Sequence, residues 1–175
     1  FAAQAVMSGT MDVVIAAGVE SMSRVPLGLS AESKSPRMEA KFPGVVFSQF
    51  DGAELMAEKY GLSKNELDTY SFESHRRAAE ASQAGRFRQE ITPVRIQTED
   101  GEASHEVDEG IRFNATLEGV QGARLLRDGG RISAAAASQI CDGAAALLVV
   151  NEAGLKRHGL TPLARVHHMS VLGGD

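Results

Sequence analysis

Cys141 is the single cysteine of the chain, and a lone cysteine can be a thiolate nucleophile when a histidine elsewhere activates it. It lies between Ile140 and the turn Asp142-Gly143, which leads into an apolar stretch, and no histidine is nearby in the sequence. A small thiol in such a context is more commonly a buried packing residue. We therefore expect Cys141 to be buried rather than catalytic.

The histidines lack the spacing of a metal site. The five histidines form no H-E-x-x-H pattern, and a zinc site is not expected with one cysteine. His167 and His168 are adjacent, so in a strand they point to opposite faces and cannot share one ion. The acidic stretch 99–109 lacks the residue order of a calcium-binding loop. The sequence predicts no bound metal.

Two other features could bind a ligand. Arg112 stands between Ile111 and Phe113, where its guanidinium could meet a phosphate or an adenine ring, or could simply be a surface charge. Residues 133–138 have only small side chains, which allow close approach of a flat ligand or of another backbone, and Ser138 adds a hydroxyl. The residues by themselves leave both alternatives open.

Composition excludes several classes of function. The chain has 175 residues and a net charge of −5, without a basic block, so nucleic acid is not an expected partner. Its longest apolar run, residues 144–150, is far shorter than the roughly 20 residues that span a membrane. A single cysteine cannot form an internal disulfide, which favours a reducing compartment, and we expect a cytoplasmic protein.

Elements at the two ends of the chain predict an α/β fold. Residues 1–8 have helix-forming types before Gly9, and residues 13–18 are an apolar run typical of a strand buried on both faces of a parallel sheet. Residues 144–150 predict a second buried strand, Asn151 caps a short helix that ends at Gly159, and residues 162–172 predict a final strand. This pattern indicates part of a βαβ layer.

The middle of the chain predicts helices and a β-ribbon. Asp51 with Glu54, and Ser63 with Glu66, have the spacing of capping boxes, for helices over 52–60 and from 63 to about 84. Residues 92–97 and 104–107, separated by an acidic turn containing Gly101, predict the two strands of the ribbon. The stretch 21–49 is irregular and contains three prolines.

Three stretches together resemble the thiolase family. They carry an E-S-M-S-x-x-P segment, a D-E-x-I-R segment and a small-residue segment that ends in D-G-A-A-A, at residues 14–26, 108–117 and 133–146 respectively. The resemblance covers the whole chain in order. It implies a thiolase-like fold in which a helical and β-ribbon loop domain is inserted into a partial N-terminal βαβ layer. The implied domains are 1–24 for the end of the N-terminal half, 25–130 for the loop domain, 131–160 for the return to that half, and 161–175 for the start of the C-terminal half.

The resemblance also implies an activity. Thiolases cleave 3-ketoacyl-CoA with coenzyme A to acetyl-CoA and a shortened acyl-CoA, or run the reverse condensation, with coenzyme A as substrate and no permanently bound cofactor. The family nucleophile would precede Phe1, and its histidine and second cysteine would follow Asp175. Cys141 matches neither family cysteine. We therefore expect a segment without catalytic residues, inactive alone, from a protein that forms homodimers or homotetramers.

The resemblance implies that this chain contains part of the coenzyme A site. Arg112 matches an arginine that contacts the nucleotide end, Ser138 matches a serine that lines the pantetheine channel, and Ala137 lies beside it. Phe50 stands where relatives have a glycine near the acyl tunnel, so its bulk suggests a different acyl preference. The alternatives are a non-catalytic protein that binds coenzyme A or acyl chains with the same fold, and a condensing enzyme similar to ketoacyl synthases.

Overall fold

The computed structural model describes residues 1–29, 35–45 and 48–173. Its helices and strands, in chain order, are α1 (Ala2–Met7), β1 (Val13–Ser21), α2 (Pro36–Lys41), α3 (Gln49–Lys59), α4 (Lys64–Gln83), β2 (Val94–Thr98), β3 (Gly101–His105), α5 (Leu117–Gln121), a 3₁₀ turn (Ala134–Ala136), β4 (Asp142–Val150) and α6 (Glu152–His158). They belong to two compact units. The sheet unit contains Phe1–Leu29 and Cys141–Asp175, and the helical unit is Ser30–Ile140.

The sheet unit is built on the pairing of β1 with β4. The two strands are antiparallel and in register from Val13 opposite Val150 to Ser21 opposite Asp142. This pairing was not predicted from the sequence, because an apolar run carries no information about the direction in which a distant partner strand returns. The expectation of full burial is wrong, since Ile15 and Leu147 are 70% and 72% exposed.

The two helices of the sheet unit agree with the predictions made from the sequence. Helix α1 forms before Gly9, and α6 begins at its predicted cap, where the Asn151 side chain accepts a hydrogen bond of 2.9 Å from the Gly154 amide. The strand predicted over 162–172 is wrong. Residues 161–173 contain no strand, because no neighbouring strand of the described chain pairs with them.

The helical unit contains one confirmed capping box and one that is wrong. At α4 the Ser63 amide donates to Glu66 at 2.8 Å, and the Glu66 amide donates to Ser63 Oγ at 3.2 Å. At α3 the cap is Ser48, whose Oγ accepts from the Asp51 amide, so the helix begins before the predicted residue. Glu54 is therefore free to bond elsewhere, as described below.

Strands β2 and β3 form the predicted ribbon, antiparallel from Val94 opposite His105 to Thr98 opposite Gly101. Two short helices were not expected. Helix α2 begins at Pro36, a residue that suits the first turn because its missing N–H would be unpaired there. Helix α5 is capped by Thr116.

Small apolar residues form the interior of the helical unit. Ala57 of α3, Ala79 of α4, Val120 of α5 and Ile132 are all at most 8% exposed. This packing places the segment around Ile132 against the helices. Within the residues that the structure describes, no helix is both long enough and apolar enough to cross a membrane.

Candidate functional site

Arg112 lies on an irregular stretch between β3 and α5, where it is exposed. Its backbone N–H donates to Nδ1 of His75 on α4 at 3.2 Å. Its carbonyl accepts from the Ala115 amide at 3.0 Å, which closes a turn. The Arg112 backbone is therefore held at a fixed place beside α4, while its side chain stays at the surface.

A groove of about 350 Å³ lies between α4 and the stretch that carries Arg112. Phe72 and Ala79 line it from the helix, and Arg112, Phe113 and Ala115 line it from the other side. The aromatic rings and aliphatic carbons supply apolar walls. The groove can therefore accept a flat ring beside a positive charge.

Arg76 and Arg112 both line this groove, but they differ in whether an acidic side chain pairs with them. Arg76 donates twice to the Glu73 carboxylate at 2.7 Å and once to Glu80 at 3.1 Å. The bonds from Arg76 and then from Arg77 lower the pKa of Glu73 to about 2, and Glu73 raises the pKa of Arg76. Arg112 has no ion-pair partner among the described residues. Its positive charge is the one available to an anionic ligand.

Ser138 and Ala137 follow a segment that two carboxylates hold in place. Glu54 of α3 accepts from the Arg131 amide at 2.8 Å and from the Ile132 amide at 2.9 Å. Burial would raise the pKa of Glu54, but these amides and the nearby arginines outweigh it, so the pKa lies below its ordinary value. A Cβ at position 130 would collide with the Glu54 carboxylate, so Gly130 is required for this approach.

Asp68 is the second carboxylate of this anchor and is 1% exposed. It pairs with Lys64 on its own helix and accepts from Ser133 Oγ at 3.3 Å. Lys64 also donates to the Gln121 carbonyl at 2.8 Å, which joins α4 to α5. Residues 131–133 are thus fixed to α3 and α4, and the 3₁₀ turn follows directly.

Beyond this anchor, Ala137 is half-buried and Ser138 is exposed. The next residue, Gln139, donates from Nε2 to the Gly110 carbonyl at 2.7 Å. Gly110 lies two residues before Arg112. The structure therefore brings the segment that carries Ser138 next to the loop that carries Arg112.

Phe50 lies elsewhere. It lines a separate cavity of about 210 Å³, together with Leu126, Ile132 and the Glu54 carboxylate, and is 39% exposed. The structure therefore places Phe50 at a different cavity from the groove that Arg112 lines, while Ala137 and Ser138 line neither of the two. Their roles in binding stay predictions.

Cys141 is exposed, so the expectation that it is a buried packing residue is wrong. The reason is that the first residues of β4 are themselves exposed. In the described residues, no three histidine, cysteine or acidic side chains come close enough to hold a metal ion.

Four residues of this region were missed from the sequence: His75, Gln139, Glu54 and Asp68. Glu54 did carry a signal, because it precedes Ala57 by three residues and so shares the buried face of α3. The capping-box spacing with Asp51 concealed that signal. Nothing in the sequence near His75 or Gln139 indicates their distant partners.

The α/β fold and the order of the sequence motifs agree with the class of protein expected from the sequence. The family described as "Thiolase, N-terminal domain" matches residues 1–153, so the chain belongs to the thiolase family. The family and the fold class expected from the sequence are confirmed.

Individual relatives agree. The chain is 45% identical to a steroid 3-ketoacyl-CoA thiolase of Mycobacterium tuberculosis, an alignment that covers 100% of this chain and 44% of the relative. It is 36% identical to a 3-ketoacyl-CoA thiolase of Cronobacter sakazakii, over 99% of this chain and 46% of the relative. The crystal structure of human mitochondrial 3-ketoacyl-CoA thiolase superposes with a TM-score of 0.71 and 30% identity, over 91% of this chain and 44% of that one. The chain spans less than half the length of these relatives.

Proposed function

We propose that the whole protein is an acyl-CoA acyltransferase of the thiolase type. It would cleave a 3-ketoacyl-CoA with coenzyme A to acetyl-CoA and a shortened acyl-CoA, or run the reverse condensation. Family membership supports this proposal, as do relatives that are named 3-ketoacyl-CoA thiolases. This chain contributes part of the coenzyme A site and no catalytic residue, so the chain alone is expected to be inactive.

The Arg112 guanidinium, which has no ion-pair partner in the described part of the chain, is the observation that carries the proposal for binding. Arginine forms charge-assisted hydrogen bonds to phosphate and stacks on aromatic rings. Coenzyme A offers both chemistries at its nucleotide end, which carries phosphates and an adenine ring. The groove provides the matching surface, because Phe72 and Phe113 line it beside Arg112. We assign the nucleotide end of coenzyme A to this groove.

The pantetheine arm suits the neighbouring segment. It is slender and uncharged, so it requires small side chains and a few hydrogen-bonding groups. Ala137 leaves room for it, and the exposed hydroxyl of Ser138 can donate to or accept from its amides. Gln139 holds this segment beside the Arg112 loop, which supports a continuous path for one ligand.

Phe50 is assigned to the acyl end. Its cavity has apolar walls from Leu126 and Ile132, and a ring in place of a glycine reduces the room for an acyl chain. We infer an acyl preference different from that of relatives with glycine at this position. Exchange of Phe50 for glycine would then broaden the range of acyl chains that are cleaved.

The same proposal covers the cellular setting. A single cysteine and a net charge of −5 support a cytoplasmic enzyme that binds no nucleic acid. The family resemblance supports a homodimer or homotetramer, which light scattering of the whole protein would distinguish. Coenzyme A and acyl-CoA are the partners, as substrates, and no cofactor is bound permanently.

Arg112→Ala in the whole protein tests the nucleotide assignment. Losing hydrogen bonds from a charged donor costs about 1.5–3 kcal/mol, so KM for coenzyme A should rise roughly 10- to 100-fold. The turnover number should change much less, because Arg112 binds far from the reacting atoms. Steady-state kinetics with varied coenzyme A measures both constants.

Two further variants sharpen this test. Arg112→Lys keeps the charge but loses the planar group, so it separates phosphate binding from stacking on adenine. Arg95→Ala is the control, because Arg95 is exposed on β2 and does not line the groove. An unchanged KM in Arg112→Ala would remove Arg112 from the site. Binding of coenzyme A without any turnover by the whole protein would instead favour the non-catalytic alternative.

A further inference from the structure

The loop Asp108–Arg112, here called the arginine loop, belongs to no helix or strand. Backbone groups in such a loop need partners outside regular structure, and those partners decide where the loop rests. Two of them are side chains from distant parts of the chain. His75 on α4 accepts from the Arg112 amide at 3.2 Å, and Gln139 donates to the Gly110 carbonyl at 2.7 Å.

We propose that His75 and Gln139 are positioning residues that hold the arginine loop from two sides and so aim Arg112 at coenzyme A. This inference rests on the proposed function, in which Arg112 binds the nucleotide end. Neither side chain needs to touch the ligand. Each acts on a backbone atom within two residues of Arg112, His75 from α4 and Gln139 from the irregular stretch before β4.

The chemistry of the two contacts is specific. His75 must present an unprotonated Nδ1 to accept from an N–H, and the oxygen of an asparagine side chain can take the same position. Gln139 must present its amide N–H₂ to a carbonyl, which neither leucine nor glutamate can do. Both requirements can be tested by substitutions of similar size.

Close packing of the loop supports the same role. The Gly110 amide donates to Asp108 Oδ1 at 2.7 Å, which tightens the loop on itself. A Cβ at position 110 would lie 3.0 Å from that oxygen and 3.3 Å from Cδ of Gln139. The Gln139 side chain therefore lies directly against the loop, at a place where glycine permits the approach.

Loss of either contact should lower affinity by lowering the fraction of molecules with Arg112 in the binding position. One neutral hydrogen bond corresponds to about a fivefold change in that equilibrium. His75→Ala and Gln139→Leu in the whole protein should therefore each raise KM for coenzyme A, by at most about fivefold. The turnover number should stay within about twofold, because no reacting atom is displaced.

The decisive measurement combines these variants with Arg112→Ala. If His75 and Gln139 act through Arg112, adding His75→Ala or Gln139→Leu to Arg112→Ala does not raise KM further. If they act independently, the fold-changes in KM of the single variants multiply in the double variant. His75→Asn should restore a KM close to wild type. Gln97→Leu on β2 is the matched control for Gln139→Leu, since Gln97 is exposed and pairs with Glu102 of the ribbon. Thermal unfolding of each variant verifies that it folds.

The outcomes separate the two proposals. If Arg112→Ala raises KM but the His75 and Gln139 variants leave it unchanged, the positioning role is wrong and the nucleotide assignment stands. Multiplicative effects in the double variants also overturn the positioning role. If Arg112→Ala itself leaves KM unchanged, the nucleotide assignment fails, and the positioning role fails with it.

Discussion

The two units use carboxylates in the same way but in different surroundings. In the helical unit, Glu54 and Asp68 are 4% and 1% exposed, and they fix the segment 131–133 to α3 and α4. In the sheet unit, Asp12 and Asp142 also receive hydrogen bonds from distant residues, but water reaches both groups. Water can replace a lost partner at an exposed group and cannot at a buried one. Burial therefore decides how much each carboxylate contributes.

Glu54→Ala should give the largest loss of stability. It leaves the buried Ile132 amide and the half-buried Arg131 amide without their acceptor, at about 1–3 kcal/mol for each unsatisfied group, so about 2–6 kcal/mol in total. Urea denaturation measures this loss. Hydrogen exchange at the same two amides should accelerate strongly, because their protection depends on the contact with Glu54.

Glu58→Ala is the control for this prediction, since Glu58 lies on the same helix but is exposed. It should change the free energy of unfolding by less than about 0.5 kcal/mol. Equal effects of the two substitutions would show that the Glu54 contacts contribute no more than helix composition does.

Asp142→Ala should have a smaller and more local effect. Asp142 at the start of β4 accepts from the amide and hydroxyl of Ser23 and, at 3.3 Å, from the Ser21 hydroxyl. These contacts join the beginning of β4 to the end of β1, and those from Ser23 are the main cause of its lowered pKa. Exchange of the Ser23 amide should accelerate about fivefold, without a strong effect on the helical unit.

Glu20→Ala provides the comparison for Asp142→Ala, because Glu20 is an exposed acid on β1. Its removal should leave the Ser23 amide as protected as in the unchanged protein. A loss of global stability in Asp142→Ala as large as that in Glu54→Ala would contradict the distinction between buried and exposed carboxylates.

The features predicted correctly from the sequence depend on neighbouring residues. Ser63 and Glu66 are three residues apart and form their capping box. The ribbon forms as predicted, although its second strand already begins at Gly101, which was expected in the turn. The antiparallel pairing of β1 with β4 was missed because the paired residues are far apart in the chain, as Val13 and Val150 are. Local patterns carry no information about the direction of such a partner.

In the candidate site, too, the sequence indicates the residues of continuous motifs but not the residues whose partners are distant in the chain. Arg112 and Ser138 are candidates because they lie in motifs that are continuous in the sequence, and their binding roles stay predictions. His75 and Gln139 were not found, because their contacts with the arginine loop bridge 37 and 29 residues. Glu54 was assigned to a helix cap, since a carboxylate three residues after Asp51 satisfies the local rule equally well. Only the folded chain shows that its amide partners lie at Arg131 and Ile132.

Removing the exposed ion pairs of α4 should have the smallest effect on stability, and the size of that effect should depend on pH and salt. Glu73 is bonded by Arg76 and then by Arg77, and these bonds lower its pKa from 4.5 to about 2. Between those two values the folded protein keeps Glu73 ionised while the unfolded chain binds a proton, so stability falls as the pH falls through this range. Glu73→Gln should remove this part of the acid sensitivity.

Thermal unfolding of the unchanged protein and Glu73→Gln between pH 5 and about 2 measures the difference. The two midpoints should approach each other as the pH falls towards about 2, where Glu73 becomes protonated in the folded protein as well. In 1 M salt, where charges are screened beyond about 3 Å, the difference at pH 5 should shrink, as expected for a pair in water. A difference that persists in high salt would place Glu73 with the buried carboxylates of the helical unit, despite its position at the surface.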